Sequence, residues 1–129
     1  MLAVDTDVVV RYLANDDTGQ AARAQRLLTR DDVFVPLTVL LETEWVLRGV
    51  FGFPAADVVG ALRGFAGLPR VTVESADTAA QALDWAERGL DFADALHLAA
   101  TRPHDGFVTF DKALARTARK LGAPTVREP

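Results

Sequence analysis

Short runs of apolar residues alternate along the chain with longer segments in which apolar residues recur every three or four positions. The short runs have the length of buried strands and cover residues 2–4, 33–35, 71–73, 106–110 and 125–126. The longer segments have the spacing of helices that bury one face. This alternation predicts an α/β fold, a three-layer α/β/α arrangement with a mostly parallel central sheet of four or five strands, formed by residues 1–129 as a single domain.

The most apolar of the predicted helices covers residues 38–50. Its predicted core residues are Val39, Leu40, Val46, Leu47 and Val50. Two further helices are predicted before residue 32, over residues 7–14 and from a cap at Asp17 or Thr18 to Asp31. Another opens at Phe53-Pro54, with Val58, Leu62 and Phe65 as its apolar stripe. The last three are predicted over 75–88, over 91–101 with an end before Pro103, and over 111–121. Short strands and helices in this order are typical of a parallel sheet that is covered by helices.

Composition narrows the class of protein. Half of the residues are hydrophobic and a quarter are charged, as in an ordinary globular domain. No apolar run approaches the roughly 20 residues of a membrane span, and no basic segment precedes the first apolar run, so neither a membrane segment nor a signal peptide is expected. The absence of cysteine excludes disulfides and thiolate metal sites, which agrees with a cytoplasmic location.

The formal net charge of −4 does not by itself indicate a nucleic-acid-binding protein. However, 12 of the 14 basic residues are arginine, whose planar guanidinium group suits phosphate. Acids gathered in a cleft with a metal ion, and arginines around its rim, would reconcile the two observations.

Four acids occupy positions that the fold alone does not require. Asp5 and Asp111 directly follow apolar runs, which places both at the carboxyl edge of the predicted sheet, where ligands bind in α/β folds. Glu42 interrupts the apolar helix, and Asp94 lies in the first turn of the helix over 91–101. Carboxylates that meet in a cleft repel one another unless a divalent cation lies between them, and oxygen ligands without cysteine favour Mg²⁺ or Mn²⁺.

Each acid also has a structural alternative. Asp5 and Asp111 would serve as helix caps, and Glu42 would pair with a surface arginine. Asp94 would stand behind a cap formed by Asp91, since both acids suit a helix N-terminus. Four such coincidences at one sheet edge are the weaker account.

Four segments carry a resemblance to a known family. They are Asp5-Thr6-Asp7-Val8, Leu41-Glu42-Thr43-Glu44-Trp45-Val46-Leu47-Arg48, Asp91-Phe92-Ala93-Asp94-Ala95-Leu96-His97 and Thr109-Phe110-Asp111. In this order they resemble the signatures of PIN-domain nucleases, most closely the VapC-type toxins of bacterial toxin–antitoxin pairs. The resemblance extends from Leu2 to Leu121.

The resemblance implies a PIN fold, Mg²⁺- or Mn²⁺-dependent endoribonuclease activity, inhibition by a cognate antitoxin and assembly as a homodimer. It also implies roles for individual residues. The catalytic acids would be Asp5, Glu42, Asp94 and Asp111; the metal ligands Asp5, Asp94 and Asp111; and the supporting hydroxyls Thr6 and Thr109. The participation of Asp7, Asp91 and His97 is left open.

Basic residues recur at helical spacing after Asp111. Lys112, Arg116, Arg119 and Lys120 would bind the phosphates of RNA, with an ordinary solvated helix face as the equal alternative. A second basic set, Arg23, Arg26 and Arg30, lies on the polar face of the helix that ends at Asp31. For Trp45 and Trp85, packing in the core or at an interface is favoured over base stacking.

Two rival interpretations remain. Haloacid-dehalogenase-like phosphatases also begin with a strand and Asp-x-Asp, and there Asp5 would be the nucleophile. Against this, Val9 stands where that family has threonine, and Glu42 would have no role. The other alternative is a PIN-like module that binds RNA or a partner without cutting, which the presence of all four acids disfavours.

Overall fold

The structure is a computed structural model that describes residues 1–102 and 104–129. The chain divides into two compact units, an N-terminal unit formed by Met1–Ala76 and a C-terminal unit formed by Asp77–Pro129. The prediction of a single domain over residues 1–129 stays a prediction. Pro103, where we expected a helix to have ended, lies outside the described residues.

The N-terminal unit is built on a parallel three-stranded sheet. Its elements are β1 (Leu2–Ala3), α1 (Thr6–Ala14), α2 (Thr18–Arg30), β2 (Val33–Val35), α3 (Leu37–Gly49), α4 (Ala55–Ala66) and β3 (Val71–Val73). The strands lie in the order β1-β2-β3, with Leu2 opposite Val33 and Val33 opposite Val71. Every strand therefore directs its carboxyl end to the same edge of this sheet.

The core of the N-terminal unit follows from the apolar faces of its helices. Val33 and Val35 of β2 are fully buried, as are Leu40 and Leu47 of α3 and Leu62 of α4. Helix α1 packs against α2 and α3, and α3 packs against α4. This packing holds the start of α1 beside α3.

Of the predicted core residues of α3, Val46 is only half-buried and Val50 is on the surface. The prediction that Val50 is buried is wrong, because Val50 is the C-cap of α3 and is 64% exposed. The helical ladder ends there, so the periodicity that places Leu47 in the core does not extend to the next residue on that side.

The C-terminal unit contains α5 (Ala76–Glu87), which begins at the last residue of the N-terminal unit. It continues with α6 (Phe92–Thr101), β4 (Phe107–Val108), α7 (Lys112–Lys120) and β5 (Val126–Arg127). Strands β4 and β5 pair in parallel, with Phe107 opposite Val126. Helix α5 ends before Gly89, whose φ of +107° only glycine adopts readily, so the predicted stop at Gly89 is confirmed.

The predicted class, an α/β fold with parallel strands, is confirmed. In the described part of the chain the five strands form one three-stranded and one two-stranded sheet. Strand β4 is shorter than the predicted 106–110, because the hydroxyl of Thr109 accepts a hydrogen bond from the Asp111 N–H at 3.0 Å. That turn leaves Phe110 81% exposed and leads the chain into α7.

Among the described residues, no helix is both long and apolar enough to cross a membrane. Helices α2 and α3 have 13 residues each, against about 20 for a membrane span.

Candidate metal and nucleic-acid site

Asp5 lies where the first strand turns into the first helix. Backbone pairing with β2 continues through Val4, whose N–H donates to the Phe34 carbonyl at 3.1 Å. Asp5 then keeps an extended backbone (φ −89°, ψ 168°) and caps α1, its Oδ1 accepting the Thr6 N–H at 2.7 Å. The sequence prediction that Asp5 is delivered to the carboxyl end of β1 is thus matched, and so is its alternative as a helix cap.

Thr6 connects Asp5 with Glu42. The buried Thr6 hydroxyl donates to Oε1 of Glu42 at 2.5 Å, while the Thr6 N–H donates to Asp5. Two donors of one residue therefore fix two exposed carboxylates that are distant in sequence. The alternative in which Glu42 pairs with a surface arginine is wrong, since its partner among the described residues is this hydroxyl.

The two carboxylates open into one cavity of about 510 Å³. Asp7, whose participation the sequence left open, also lines this cavity. The remaining wall includes the apolar residues Val46, Val50 and Phe51. The cavity is therefore lined by several carboxylates, by the basic residue Arg11 and by apolar side chains.

Asp94 stands in the first turn of α6, behind the cap formed by Asp91. Its N–H donates to Oδ2 of Asp91 at 3.3 Å. The pKa of the half-buried Asp94 is raised above its usual 3.8, first by burial and then by the negative charges of Asp91 and Asp111, against a lowering effect of His97. Asp111 therefore lies close enough to Asp94 for the two negative charges to repel each other.

Asp111 caps α7. Its Oδ1 accepts the Leu114 N–H at 3.0 Å, as the structural alternative predicts. Thr109 accepts the Asp111 N–H, so its hydroxyl orients the backbone of Asp111 and not the carboxylate. The predicted support by Thr6 and Thr109 thus takes two forms, one through a carboxylate and one through the main chain.

Each of the four carboxylates has at least one oxygen that accepts no hydrogen bond from the described residues. Asp5, Glu42 and Asp111 each use one oxygen in a hydrogen bond, and the second oxygen has no donor among the described residues. Asp94 accepts no hydrogen bond from them. Carboxylates with one oxygen held and one available, without nitrogen or sulfur donors, fit Mg²⁺ or Mn²⁺.

The described residues contain no group of three or more His, Asp or Glu side chains arranged to hold a metal ion. What the structure brings together is one carboxylate pair in each unit. We call Asp5 and Glu42 the N-terminal pair, and Asp94 and Asp111 the C-terminal pair. A common centre formed by all four stays a prediction.

Sequence reasoning missed the buried acid of α3. Glu44 is only 3% exposed, and its carboxylate accepts hydrogen bonds from Arg48 at 2.9 and 3.3 Å. The sequence pattern singled out Glu42 because it interrupts the apolar helix, yet Glu42 is the exposed acid of the two. The available signal was the spacing of Glu44 and Arg48, four residues apart with the acid first.

The four basic residues predicted to bind RNA, Lys112, Arg116, Arg119 and Lys120, are exposed on α7. All except Lys120 line a cavity of about 410 Å³. Arg127 of β5 lines the same cavity and was not predicted. Glu128 also lines the cavity, so its four basic residues and one acid give the groove an excess of positive charge.

The two tryptophans differ in their exposure to solvent. Trp85 is buried, which confirms its predicted packing role. Trp45 is 57% exposed and covers Gly49, so core packing is the wrong prediction for it. A role of Trp45 at an interface stays a prediction.

Comparison with known families gives one match, to the PIN domain, over residues 2–120. No curated protein matches the chain significantly. The matched range contains all four predicted acids, and it favours the PIN interpretation over the phosphatase alternative. PIN domains are typically Mg²⁺-dependent nucleases, which makes the protein a metal-dependent nuclease at that level of description. The chain belongs to the PIN domain family.

Proposed function

We propose that the protein is an endoribonuclease of the VapC type, the toxin of a toxin–antitoxin pair, which hydrolyses RNA phosphodiester bonds. The observation that carries the proposal is the N-terminal pair, in which Thr6 holds the carboxylates of Asp5 and Glu42 at one cavity. Neither a helix cap nor a surface ion pair needs this connection between α1 and α3.

Asp5, Asp94 and Asp111 are the proposed ligands of Mg²⁺ or Mn²⁺. Each has a carboxylate oxygen without a donor among the described residues, and Asp94 is surrounded by the negative charges that a cation would neutralise. A bound ion supplies Lewis acidity towards a phosphoryl oxygen and lowers the pKa of water.

The protein side chains have separate tasks. Thr6 orients Glu42, whose second oxygen is left to accept a hydrogen bond from a water molecule at the cavity. His97 lies close enough to Asp94 to oppose the rise of its pKa, which makes it the candidate to carry a proton in the C-terminal unit. The groove beside α7 binds RNA phosphates through Lys112, Arg116 and Arg119, with Lys120 on the same helix.

Control by an antitoxin and assembly as a homodimer belong to the same proposal. Their support is the resemblance to VapC-type toxins together with large apolar side chains exposed at the end of α3 and in the loop after it. These are Trp45, Val50 and Phe53. Exposed apolar residues this close together are typical of a surface that binds another protein.

The test is cleavage of a mixed pool of small RNAs by the purified protein, with and without Mg²⁺ or Mn²⁺. Asp5→Asn is compared with Asp57→Asn, an equivalent change at an exposed acid in the first turn of α4. We expect metal-dependent cutting by the wild type and Asp57→Asn, and none by Asp5→Asn.

Cutting that survives in Asp5→Asn would reject the proposed site. Absence of cutting by every variant, also after purification under denaturing conditions to remove a bound antitoxin, would favour the non-catalytic module. Co-purification of a small protein that suppresses cutting, and is released by denaturation, would support the toxin role.

A further inference from the structure

Helix α2 carries an unusual concentration of positive charge. Arg23, Arg26 and Arg30 are all exposed, and their spacing of three and four residues places them along one face. None of the 13 residues of α2 is acidic, although the whole chain has a net charge of −4. We call these three residues the α2 arginine face.

The charges of this face are not compensated within the described residues. In the part of the chain that the structure describes, no carboxylate forms an ion pair with any of the three guanidinium groups. Other arginines of the same unit are paired: Arg11 with Asp16 and Arg70 with Asp32. Like charges three or four residues apart destabilise a helix, so the α2 arginine face works against the stability of its own helix.

The face adjoins the cavity of the N-terminal pair. Arg23 lines a groove of about 360 Å³ between α1 and α2, together with Asp7 and Arg11. Asp7 and Arg11 also line the cavity that contains Asp5 and Glu42. The groove and the cavity thus share two lining residues, one acidic and one basic, and the groove also contains Arg23, the first arginine of the face.

We propose that the α2 arginine face binds the phosphodiester backbone of a single-stranded RNA that extends from the cavity of Asp5 and Glu42. This inference rests on the proposed function and adds a binding surface separate from α7. Arginine presents a planar fork of donors that matches phosphate oxygens. Arg23 and Arg30 are seven residues apart, about 10 Å along a helix, so the face contacts more than one phosphate.

The test measures binding of a fluorescently labelled, 20-nucleotide, mixed-sequence RNA in EDTA, without divalent ions, over a series of KCl concentrations. In single strands each neutralised phosphate contributes about 0.7 to the slope of log Kd against log salt. We expect the triple variant R23Q/R26Q/R30Q to lower that slope by about 2. The triple variant R23K/R26K/R30K, which keeps the charge, should retain most of the slope.

Arg88→Gln is the control for the loss of an exposed positive charge outside α2. The inference is overturned by an unchanged slope in the glutamine variant, by an equal reduction per charge in Arg88→Gln, or by absence of wild-type binding. It is also overturned if polyglutamate competes as well as RNA, because the face would then suit an acidic protein.

Metal-dependent cutting by the wild type is measured in parallel. If the wild type cuts while the glutamine variant binds with an unchanged slope, this inference fails alone. If the wild type does not cut, the proposed function fails whatever the slope.

Discussion

The two carboxylate pairs are held in opposite ways. In the N-terminal pair, the N–H and hydroxyl of Thr6 donate to Asp5 and Glu42, so a donor stands between the acids. In the C-terminal pair, no donor of the described residues joins Asp94 to Asp111; each acid occupies its place through the first turn of a helix. There burial, and then the negative charges of Asp91 and Asp111, raise the pKa of Asp94 against the lowering effect of His97.

The two pairs differ in the interaction that acts on their carboxylates, which is hydrogen bonding in the N-terminal pair and charge repulsion in the C-terminal pair. Hydrogen bonds to an ionised carboxylate stabilise the charged form and fix its orientation. Like charges near a half-buried carboxylate cost free energy in the absence of a cation. We infer that folding fixes the orientation of the carboxylates in the N-terminal pair. In the C-terminal pair, folding leaves a repulsion between the carboxylates that a bound cation would reduce.

The largest expected effect comes from one amide substitution in each pair. Asp5→Asn and Asp94→Asn should each reduce metal-dependent RNA cleavage by more than about 100-fold, because even outer partners of metal ligands contribute about 10–100-fold. Their effects on metal-free stability should differ. Asp94→Asn removes a repelled charge and should raise the unfolding temperature, whereas Asp5→Asn keeps a good helix cap and should leave it nearly unchanged.

Asp77→Asn, at an exposed acid in the first turn of α5, is the control for the C-terminal pair. It should leave activity unchanged and lower the unfolding temperature slightly, because an acid in the first turn stabilises a helix. An unfolding temperature that falls in Asp94→Asn, measured in EDTA, would contradict the electrostatic contrast between the pairs.

A smaller effect is expected from the hydroxyls. Thr6→Val removes the donor to Glu42 and should lower kcat by about 10–100-fold, while Thr6→Ser should retain most of the activity. Thr109→Val removes only an acceptor for the Asp111 N–H, so its loss of activity should be smaller than that of Thr6→Val. Equal losses at the two threonines would show that the pairs do not differ in the way described.

The positions of Asp5 and Asp111 were predictable because an acid that directly follows a buried parallel strand lies at the carboxyl edge of the sheet. The helix caps formed by these acids could also be predicted, since aspartate directly before a helical segment is a strong signal for an N-cap. The same short-range rules explain the stop at Gly89. Local sequence therefore determines where these acids stand along the chain.

The partners of the acids were not predictable to the same degree. Thr6 and Glu42 are 36 residues apart, and their contact depends on how α1 packs against α3. Helix α3 is apolar on most of its surface, so periodicity does not tell whether Glu42 or Glu44 faces the interior. The shortening of β4 similarly depends on one side-chain hydrogen bond at Thr109.

The two acids of α3 provide a further prediction. Glu44→Gln weakens the buried end of the pair with Arg48 and should lower the free energy of unfolding by about 1–2 kcal/mol, between the values for exposed and buried ion pairs. Its kcat at a temperature where it is folded should be close to wild type. Glu42→Gln should do the reverse, with a large loss of activity and little loss of stability.

These effects are separated by measuring denaturant unfolding and steady-state cleavage for four proteins. They are the wild type, Glu44→Gln, Glu42→Gln and the variant that carries both substitutions. A stable Glu44→Gln that has lost its activity would move the functional acid of α3 from position 42 to position 44.

The smallest effect is a pH dependence specific to the C-terminal pair. Because the pKa of Asp94 is above 3.8 in the folded state, the folded protein binds more protons at this site than the unfolded protein at pH values near and above 3.8. Stability contributed by Asp94 should therefore fall as pH rises through its raised pKa and stay constant above it.

The difference in unfolding temperature between Asp94→Asn and the wild type in EDTA isolates this contribution from that of the other carboxylates. This difference should be near its minimum below pH 3.8, grow as the pH rises through the raised pKa of Asp94, and then level off. A saturating concentration of Mg²⁺ should reduce or invert the difference at neutral pH, since only the wild type gains from the cation there. A difference that is independent of both pH and Mg²⁺ would place the cost of Asp94 in packing, and the contrast between the two pairs would then lose its electrostatic basis.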